Sequence, residues 1–420
     1  MRSGPRVAVV ARSVFPLHGL GGLERHVYDL VQHLARAGVE VTLVTRRASG
    51  AGATHDEALD PRITLVTVPY RTFPLAGRRG TTVLDRSTAY PLFGLRAGRA
   101  AWDLVRRGRI DIVHGLGAAV LGYAKRRASS TAPLVLNPQG LEEFGGTSPS
   151  LAGLKRAGYL PLRRAVLACA RAADRVIATD RSLEPVVLSH LRISPDKMVT
   201  IPNALDLDQI NRLAGPADGR RVMRAAGLSP GDDVLVSVGR LEENKGFHVM
   251  AAALGALREH GRLRERHWRW VIVGDGPYRG RVQQAVEAAG ISDATRLLGR
   301  VDDRTLHAWY EAATLLVHPT LYEGSSLVTL EAMAHRRAVV ATRAGGLPDK
   351  VRPGVNGWLV EPGDPSSLAA AISGALDDPE RLAALGQAGR GIVEREFSWD
   401  SAAAATIGLY EDLLRTRPAR

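Results

Sequence analysis

Thr314-Leu-Leu-Val-His-Pro-Thr320, continuing through Glu323-Gly-Ser-Ser-Leu-Val-Thr-Leu-Glu331 into Ala332-Met-Ala, is the stretch that decides the fold. Its first part is a short apolar run stopped by a proline, the pattern of a strand buried on both faces of a parallel sheet. Ser325 and Ser326 are good N-cap residues, and Leu327 to His335 is rich in helix formers. The spacing predicts strand, turn and helix, with Glu323 on the loop before the helix N-terminus and Glu331 inside the helix. A helix N-terminus offers unbonded N–H groups and the positive end of the dipole, so it favours an anion. Two carboxylates therefore flank a place suited to phosphate.

Outward from this unit, strand and helix patterns alternate along nearly the whole chain. In the first half, strands are expected at Val7–Ala11, Val39–Thr45, Ile63–Val68, Asp111–His114, Leu134–Leu136, Arg175–Ala178 and Met198–Ile201. Gly22 to Gly38 is amphipathic, with Leu23, Val27, Leu30, Val31 and Leu34 at helical spacing and Gly38 as its stop. A second series has strands at Val234–Val238, Trp270–Val273, Arg296–Leu298, Leu315–Val317 and Val339–Thr342. Pro69 to Gly98 shows weak periodicity and reads as a long loop with helical pieces. Short apolar strands separated by helices imply parallel sheets covered on both faces. The expected architecture is α/β, with two doubly wound, Rossmann-like domains facing a central cleft and ligand at the carboxyl ends of the strands. The polar segment Leu213 to Asp233 separates the two series, and the boundary is placed at 205/206.

Composition limits the classes. The 420 residues suffice for two domains with full cores, and 45% apolar with 24% charged residues describes a soluble globular chain. The one cysteine, Cys169, permits no intrachain disulfide and points to a reducing compartment, hence a cytoplasmic location. No run approaches the roughly 20 apolar residues of a membrane span. Residues 1–200 carry 29 Lys and Arg against 15 Asp and Glu, a balance of +14, while residues 201–420 balance at −1. A basic half attracts phosphorylated substrates or anionic lipid heads, so peripheral contact with an anionic membrane at its inner face stays open; solvated arginines on helix faces explain the surplus equally well. No motif supports nucleic-acid binding.

Several strand-end motifs carry chemistry. Gly19-Leu-Gly-Gly22-Leu-Glu24 lies between the first strand and first helix, where phosphate-binding glycines belong, although Glu24 breaks the dinucleotide fingerprint and a tight turn also needs small residues. Val238-Gly-Arg-Leu-Glu-Glu-Asn-Lys245-Gly-Phe247 puts Arg240 and Lys245 on one loop. Arg offers a forked contact to phosphate and Lys a point charge, which together suit a leaving diphosphate. Gly274-Asp-Gly-Pro277 and Gly345-Gly-Leu-Pro348 are further glycine turns. Glu323 and Glu331 do not read as a hydrolase pair, which must face one bond across about 5–9.5 Å. Glu331 lies roughly five residues past the cap, so the two carboxylates serve opposite ends of one ligand, and a nucleotide sugar has hydroxyls at both ends and a diphosphate between. No histidine pair has zinc spacing, and no Walker loop or nucleophile elbow is present.

Taken together, these residues resemble the retaining glycosyltransferases of family 4 (glycosyl transferases group 1), which have the GT-B fold. The likeness covers nearly the whole chain. It is carried by Gly21-Gly22-x-Glu24, Asp111-Ile-Val-His114, Ile201-Pro-Asn203-Ala-Leu-Asp206, Gly239-Arg240-Leu with Lys245-Gly246, Gly274-Asp-Gly-Pro277, Glu323-x7-Glu331-Ala-Met-Ala, Gly345-Gly-Leu-Pro348 and Phe397-Ser-Trp399. The resemblance implies a first domain over 1–205 that holds the acceptor, with a C-terminal helix at about 400–420 packing back onto it, and a nucleotide-sugar domain over 206–399. It further implies that Gly21 and Gly22 approach the donor diphosphate and that Arg240 and Lys245 stabilise it as charge develops. Glu323 would face the donor sugar, and Ser325, Ser326 and Leu327 would supply backbone N–H groups. Glu331 would bind the ribose hydroxyls, with Gly274, Gly299 and Val301 around the nucleotide. Neither metal nor cofactor is expected, and attack on the same face as the leaving phosphate needs no protein nucleophile.

Three departures bear on the site. Gln139-Gly140 replaces the His-Gly of many relatives, and Gln cannot titrate, so Gln139 and His114 are assigned only to the acceptor side. Ala204 stands where relatives carry Gly, and Gly324-Ser325-Ser326 replaces Gly-Phe-Gly beside the donor sugar. The expected activity is transfer of a hexose from a UDP- or GDP-linked donor to a lipid, glycan or natural-product acceptor. The alternatives are a sugar phosphorylase or glycoside synthase on the same fold, and a non-catalytic binding protein.

Overall fold

The apolar runs form two parallel sheets in a computed structural model that describes residues 4–19, 22–47, 59–71, 81–138, 144, 158–261 and 266–416. The chain divides into two compact units, Met1–Asn203 with Trp399–Arg420, and Ala204–Ser398.

The first unit holds β1 (Arg6–Val10), β2 (Glu40–Arg46), β3 (Thr64–Val68), β4 (Ile112–Leu116), β5 (Leu134–Asn137), β6 (Arg175–Ala178) and β7 (Met198–Thr200). They are ordered β3-β2-β1-β4-β5-β6-β7, and every pairing is parallel. Its core packs Val10, Val113, Leu134 and Val176 from the strands against Phe93, Ala97, Val166 and Cys169 from helices. Cys169 is a buried free thiol whose pKa burial pushes up to about 12, so it is inert at neutral pH.

The Pro69–Gly98 stretch differs from its reading as a loop. Residues 72–80 lie outside the described residues, but a helix runs from Thr81 to Arg106 with Pro91 inside it. Its buried face mixes Gly94, Ala97, Gly98 and Ala101 with Phe93 and Val105, which weakens the periodicity. A Cβ on Gly94 would stand 2.0 Å from the Ala118 carbonyl oxygen, and one on Gly98 would stand 2.4 Å from the Tyr123 amide nitrogen. At these two glycines the helix packs backbone to backbone against Gly117–Ala124.

The C-terminal helix, Trp399–Arg415, belongs to the first unit although the second lies between in sequence. Trp399 packs against His26 and His33, with ring centroids 5.3 and 5.7 Å apart. Tyr410 is fully buried and reaches His114.

The second unit holds β8 (Asp233–Val238), β9 (Trp268–Val273), β10 (Thr295–Gly299), β11 (Leu315–His318), β12 (Val339–Thr342) and β13 (Gly357–Val360), in the order β10-β9-β8-β11-β12-β13, all parallel. β13 had not been expected, because Gly357-Trp-Leu-Val360 is only four residues long and opens on glycine. Buried polar groups are matched at the sheet centre. Trp270 Nε1 donates to Ser237 Oγ at 3.0 Å, and Ser237 donates to the Val317 carbonyl at 2.8 Å, tying β9, β8 and β11 together. The strand order reverses between β8 and β11, so loops leaving these two strands open a crevice at their carboxyl ends. Among the described residues, no helix is long and apolar enough to cross a membrane.

Candidate active site

Three loops of the second unit converge at this switch point. The loop after β8 ends in a short 3-10 turn, Glu243–Lys245, closed by Gly246 at φ 67°. A Cβ on Gly246 would stand 1.9 Å from the Pro319 carbonyl oxygen, so only glycine lets this loop lie against the one after β11. Hydrogen bonds then lace the loops. Thr320 Oγ1 and the Leu321 N–H both donate to the Asn244 carbonyl, at 2.9 and 2.7 Å. Thr342 Oγ1, at the end of β12, donates to the Thr320 carbonyl at 2.6 Å, and the Gly346 N–H donates to Gly324 at 2.9 Å.

Glu323 sits where these loops meet. Its Oε2 accepts from Lys245 Nζ and from His318 Nε2, both at 2.8 Å, and its Oε1 accepts from the Gly324 N–H at 3.1 Å. Burial works to raise its pKa, but the hydrogen bond and charge of His318, and then Lys245, outweigh burial and hold the carboxyl well below the usual range. Glu323 is therefore ionised at neutral pH and has no proton to give as a general acid. An anion fixed in this way can orient a sugar hydroxyl or stabilise positive charge developing at an adjacent carbon. The Lys245 ammonium has three donors and spends one on Glu323, so it can still reach a phosphate oxygen. Arg240, on the same loop, is exposed and pairs with Glu242 at 3.2 Å.

The helix Leu327–Ala334 starts at this point. Ser326 is its N-cap, and its Oγ accepts from the Thr329 N–H at 3.4 Å. The first N–H groups of the helix, from Leu327 onward, lack partners within the helix itself. Ser325 Oγ accepts from Lys350 Nζ at 3.1 Å, and Lys350 is fully buried. Glu331 lies one turn into the helix, and its Oε2 accepts from the Tyr310 hydroxyl at 2.8 Å. Tyr310 is fully buried; burial and then the Glu331 charge drive its pKa well up, so it remains a hydrogen-bond donor.

The remaining expected positions are dispersed. Gly274, just after β9, and Gly299, the last residue of β10, join through a 2.8 Å bond from the Gly274 N–H to the Gly299 carbonyl, and Val301 follows two residues on. Gly22 opens the first helix of the first unit, Gly22–Arg36; Gly21 and Gln139 lie outside the described residues. His114 lies buried in β4 with Nδ1 2.6 Å from the Tyr410 hydroxyl, and burial and then His26 lower its pKa to about 3, so it is neutral. His318, Tyr310 and Lys350 were not chosen from the sequence. The one available signal was His318 at a strand end five residues before Glu323. Among the described residues, no group of three or more His, Cys, Asp or Glu side chains is placed to hold a metal ion.

Residues 20–209 match the family described as Glycosyltransferase Family 4, and residues 232–378 match Glycosyl transferases group 1. The chain is a family 4 glycosyltransferase. It is 30% identical to a D-inositol 3-phosphate glycosyltransferase of Streptomyces scabiei over 97% of this chain and 91% of that protein. It is 29% identical to an MMP alpha-(1->4)-mannosyltransferase of Mycolicibacterium hassiacum over 93% of this chain and 94% of that protein. Among solved structures, sucrose-phosphate synthase from Thermosynechococcus elongatus superposes with a TM-score of 0.76 at 24% identity, covering 98% of this chain and 99% of that one. Anabaena HepE in complex with UDP gives 0.72 at 18% identity, covering 97% and 100%. With both units doubly wound and parallel, this glycosyltransferase has the GT-B fold.

Proposed function

We propose that this glycosyltransferase moves a hexose from a UDP- or GDP-linked donor to its acceptor with retention of anomeric configuration and without a metal ion. The reading rests chiefly on Glu323, held ionised by Lys245 and His318 beside a capped helix N-terminus. The second unit holds the donor. The helix N-terminus and Lys245 receive the diphosphate, with Arg240 swinging from Glu242 to join them. Glu331 takes the ribose hydroxyls. As the bond from the anomeric carbon to the diphosphate breaks, negative charge grows on the leaving phosphate, and these cations stabilise it. The acceptor oxygen attacks from the same face, and its proton passes to that phosphate. Glu323 lies on the sugar side and answers the positive charge on the ring. Support for the donor class comes from HepE, solved with UDP and with UDP-glucose. The first unit takes the acceptor, and the enzyme works in the cytoplasm with access to the inner membrane face.

The test is a panel of UDP- and GDP-sugars, screened first by thermal shift and then by nucleotide release in the presence of EDTA. A stabilising donor should be turned over with EDTA present, and Glu323→Gln should nearly abolish turnover while leaving nucleotide binding intact. Undiminished turnover by Glu323→Gln overturns the assignment. Release of inorganic phosphate from a sugar 1-phosphate, with no nucleotide released from any UDP- or GDP-sugar, would indicate a phosphorylase instead.

A further inference from the structure

Two arginines stand side by side at the carboxyl end of the first sheet. β1 and β2 are parallel with Val10 opposite Val44, so Arg12 and Arg46 share the same offset on neighbouring strands. The Ala11 N–H still donates to the Val44 carbonyl at 3.0 Å, which carries this register past the end of β1. Each guanidinium lies over a tyrosine, Arg12 4.9 Å from the centre of Tyr90 and Arg46 5.3 Å from that of Tyr70. Both rings are fixed: the Tyr70 hydroxyl donates to Asp85 Oδ2 at 2.8 Å and that of Tyr90 to the Leu116 carbonyl at 2.9 Å. A guanidinium stacked on a ring keeps its in-plane N–H edge available for a forked contact with an oxyanion.

The arrangement is electrostatically incomplete. Burial and then the Arg12 charge lower the Arg46 pKa, opposed by Tyr70, Glu24 and Asp85, and of these acids Asp85 already receives the Tyr70 hydroxyl. Arg46 makes a long 3.3 Å contact to the His18 carbonyl, and its Nε–H is buried without a hydrogen-bond partner. Leaving a buried cationic donor unmet is costly. One carboxylate is satisfied by a single guanidinium fork, whereas two forks suit a tetrahedral dianion with three oxygens to share. The +14 balance of residues 1–200 favours the same charge on a ligand.

We propose that Arg12 and Arg46 form an oxyanion site and that the acceptor is a phosphate monoester held there by its phosphate. The word acceptor rests on the sugar-transfer reading; the oxyanion site does not. The test titrates inorganic phosphate calorimetrically into the full chain, saturated with whichever of UDP and GDP binds so that the diphosphate position is filled. A parallel arm uses phosphatidylcholine vesicles with and without phosphatidic acid. Arg12→Gln and Arg46→Gln should each weaken phosphate binding by about tenfold or more. Nucleotide affinity, which should not change, checks the fold, and Arg46→Lys should keep part of the phosphate affinity. Arg12-dependent binding to phosphatidic acid without binding of free phosphate supports the site and identifies its ligand as a lipid headgroup. Equal affinity of wild type, Arg12→Gln and Arg46→Gln in both arms overturns it. Failure of both nucleotides to bind the wild-type chain sinks the sugar-transfer reading instead, and the phosphate titration still decides the site.

Discussion

Gly345 should be the glycine whose replacement most directly moves Glu323. Its φ is 54°, and a Cβ there would stand 1.7 Å from the Glu323 carbonyl oxygen. Gly345→Ala therefore has two effects. A left-handed backbone costs a non-glycine residue about 1–2 kcal/mol. Relieving the clash to the 3.0 Å at which real contacts begin also drives the Glu323 carbonyl back by about 1.3 Å. Gly354→Ala separates the two, because Gly354 has φ 75° and nothing within 4 Å of its Cβ. Both variants should lose about 1–2 kcal/mol of stability to backbone strain. Only Gly345→Ala should lose turnover, by about 100-fold, since a misplacement of about 1 Å has that effect on a positioned reaction. The assay is nucleotide release from the best donor, alongside unfolding of the transition that the nucleotide stabilises. Turnover by Gly345→Ala equal to that of Gly354→Ala would refute the idea that the β12 loop positions Glu323.

Lys245→Met removes one of two side-chain partners from a nearly buried carboxylate and should cost about 2 kcal/mol, below the 3–5 of a buried pair because His318 and the Gly324 N–H stay. Glu323 has a depressed folded pKa, so its stabilisation is fully present above its unfolded pKa and is lost as pH falls through the folded value. The difference in melting temperature between wild type and Lys245→Met should thus be full above about pH 5 and close on acidification; a difference that widens toward low pH would contradict the ionised state of Glu323. Tyr310→Phe removes a hydroxyl that donates to Glu331, and it should weaken UDP binding about tenfold while reducing the preference for UDP over its 2′-deoxy form. An unchanged preference would detach Tyr310 and Glu331 from the ribose.

Much of this molecule is legible in one dimension because its signals are local. A buried parallel strand is a short apolar run, and both strand series follow from that alone. The turn from Pro319 to the helix at Leu327 follows from a proline, two serines and a run of helix formers. Two elements escaped for physical reasons. The Thr81–Arg106 helix mixes buried glycine and alanine with Phe93 and Val105, which blurs its periodicity, and β13 is four residues opened by glycine.

The amino-acid sequence by itself determined the alternation of strands and helices, the two series of strands and the family, and it singled out the cationic and acidic residues of the candidate site. Tertiary structure alone decided their chemical state. Lys245 and Glu323 are 78 residues apart in sequence and 2.8 Å apart in space, and that contact, with His318, makes Glu323 a fixed anion rather than an acid. The pairing of Tyr310 with Glu331 and of Lys350 with Ser325, and the adjacent placement of Arg12 and Arg46, likewise depend on which strands and helices become neighbours. Hydrogen bonds and desolvation act over a few ångströms of space, and chain order does not encode those distances.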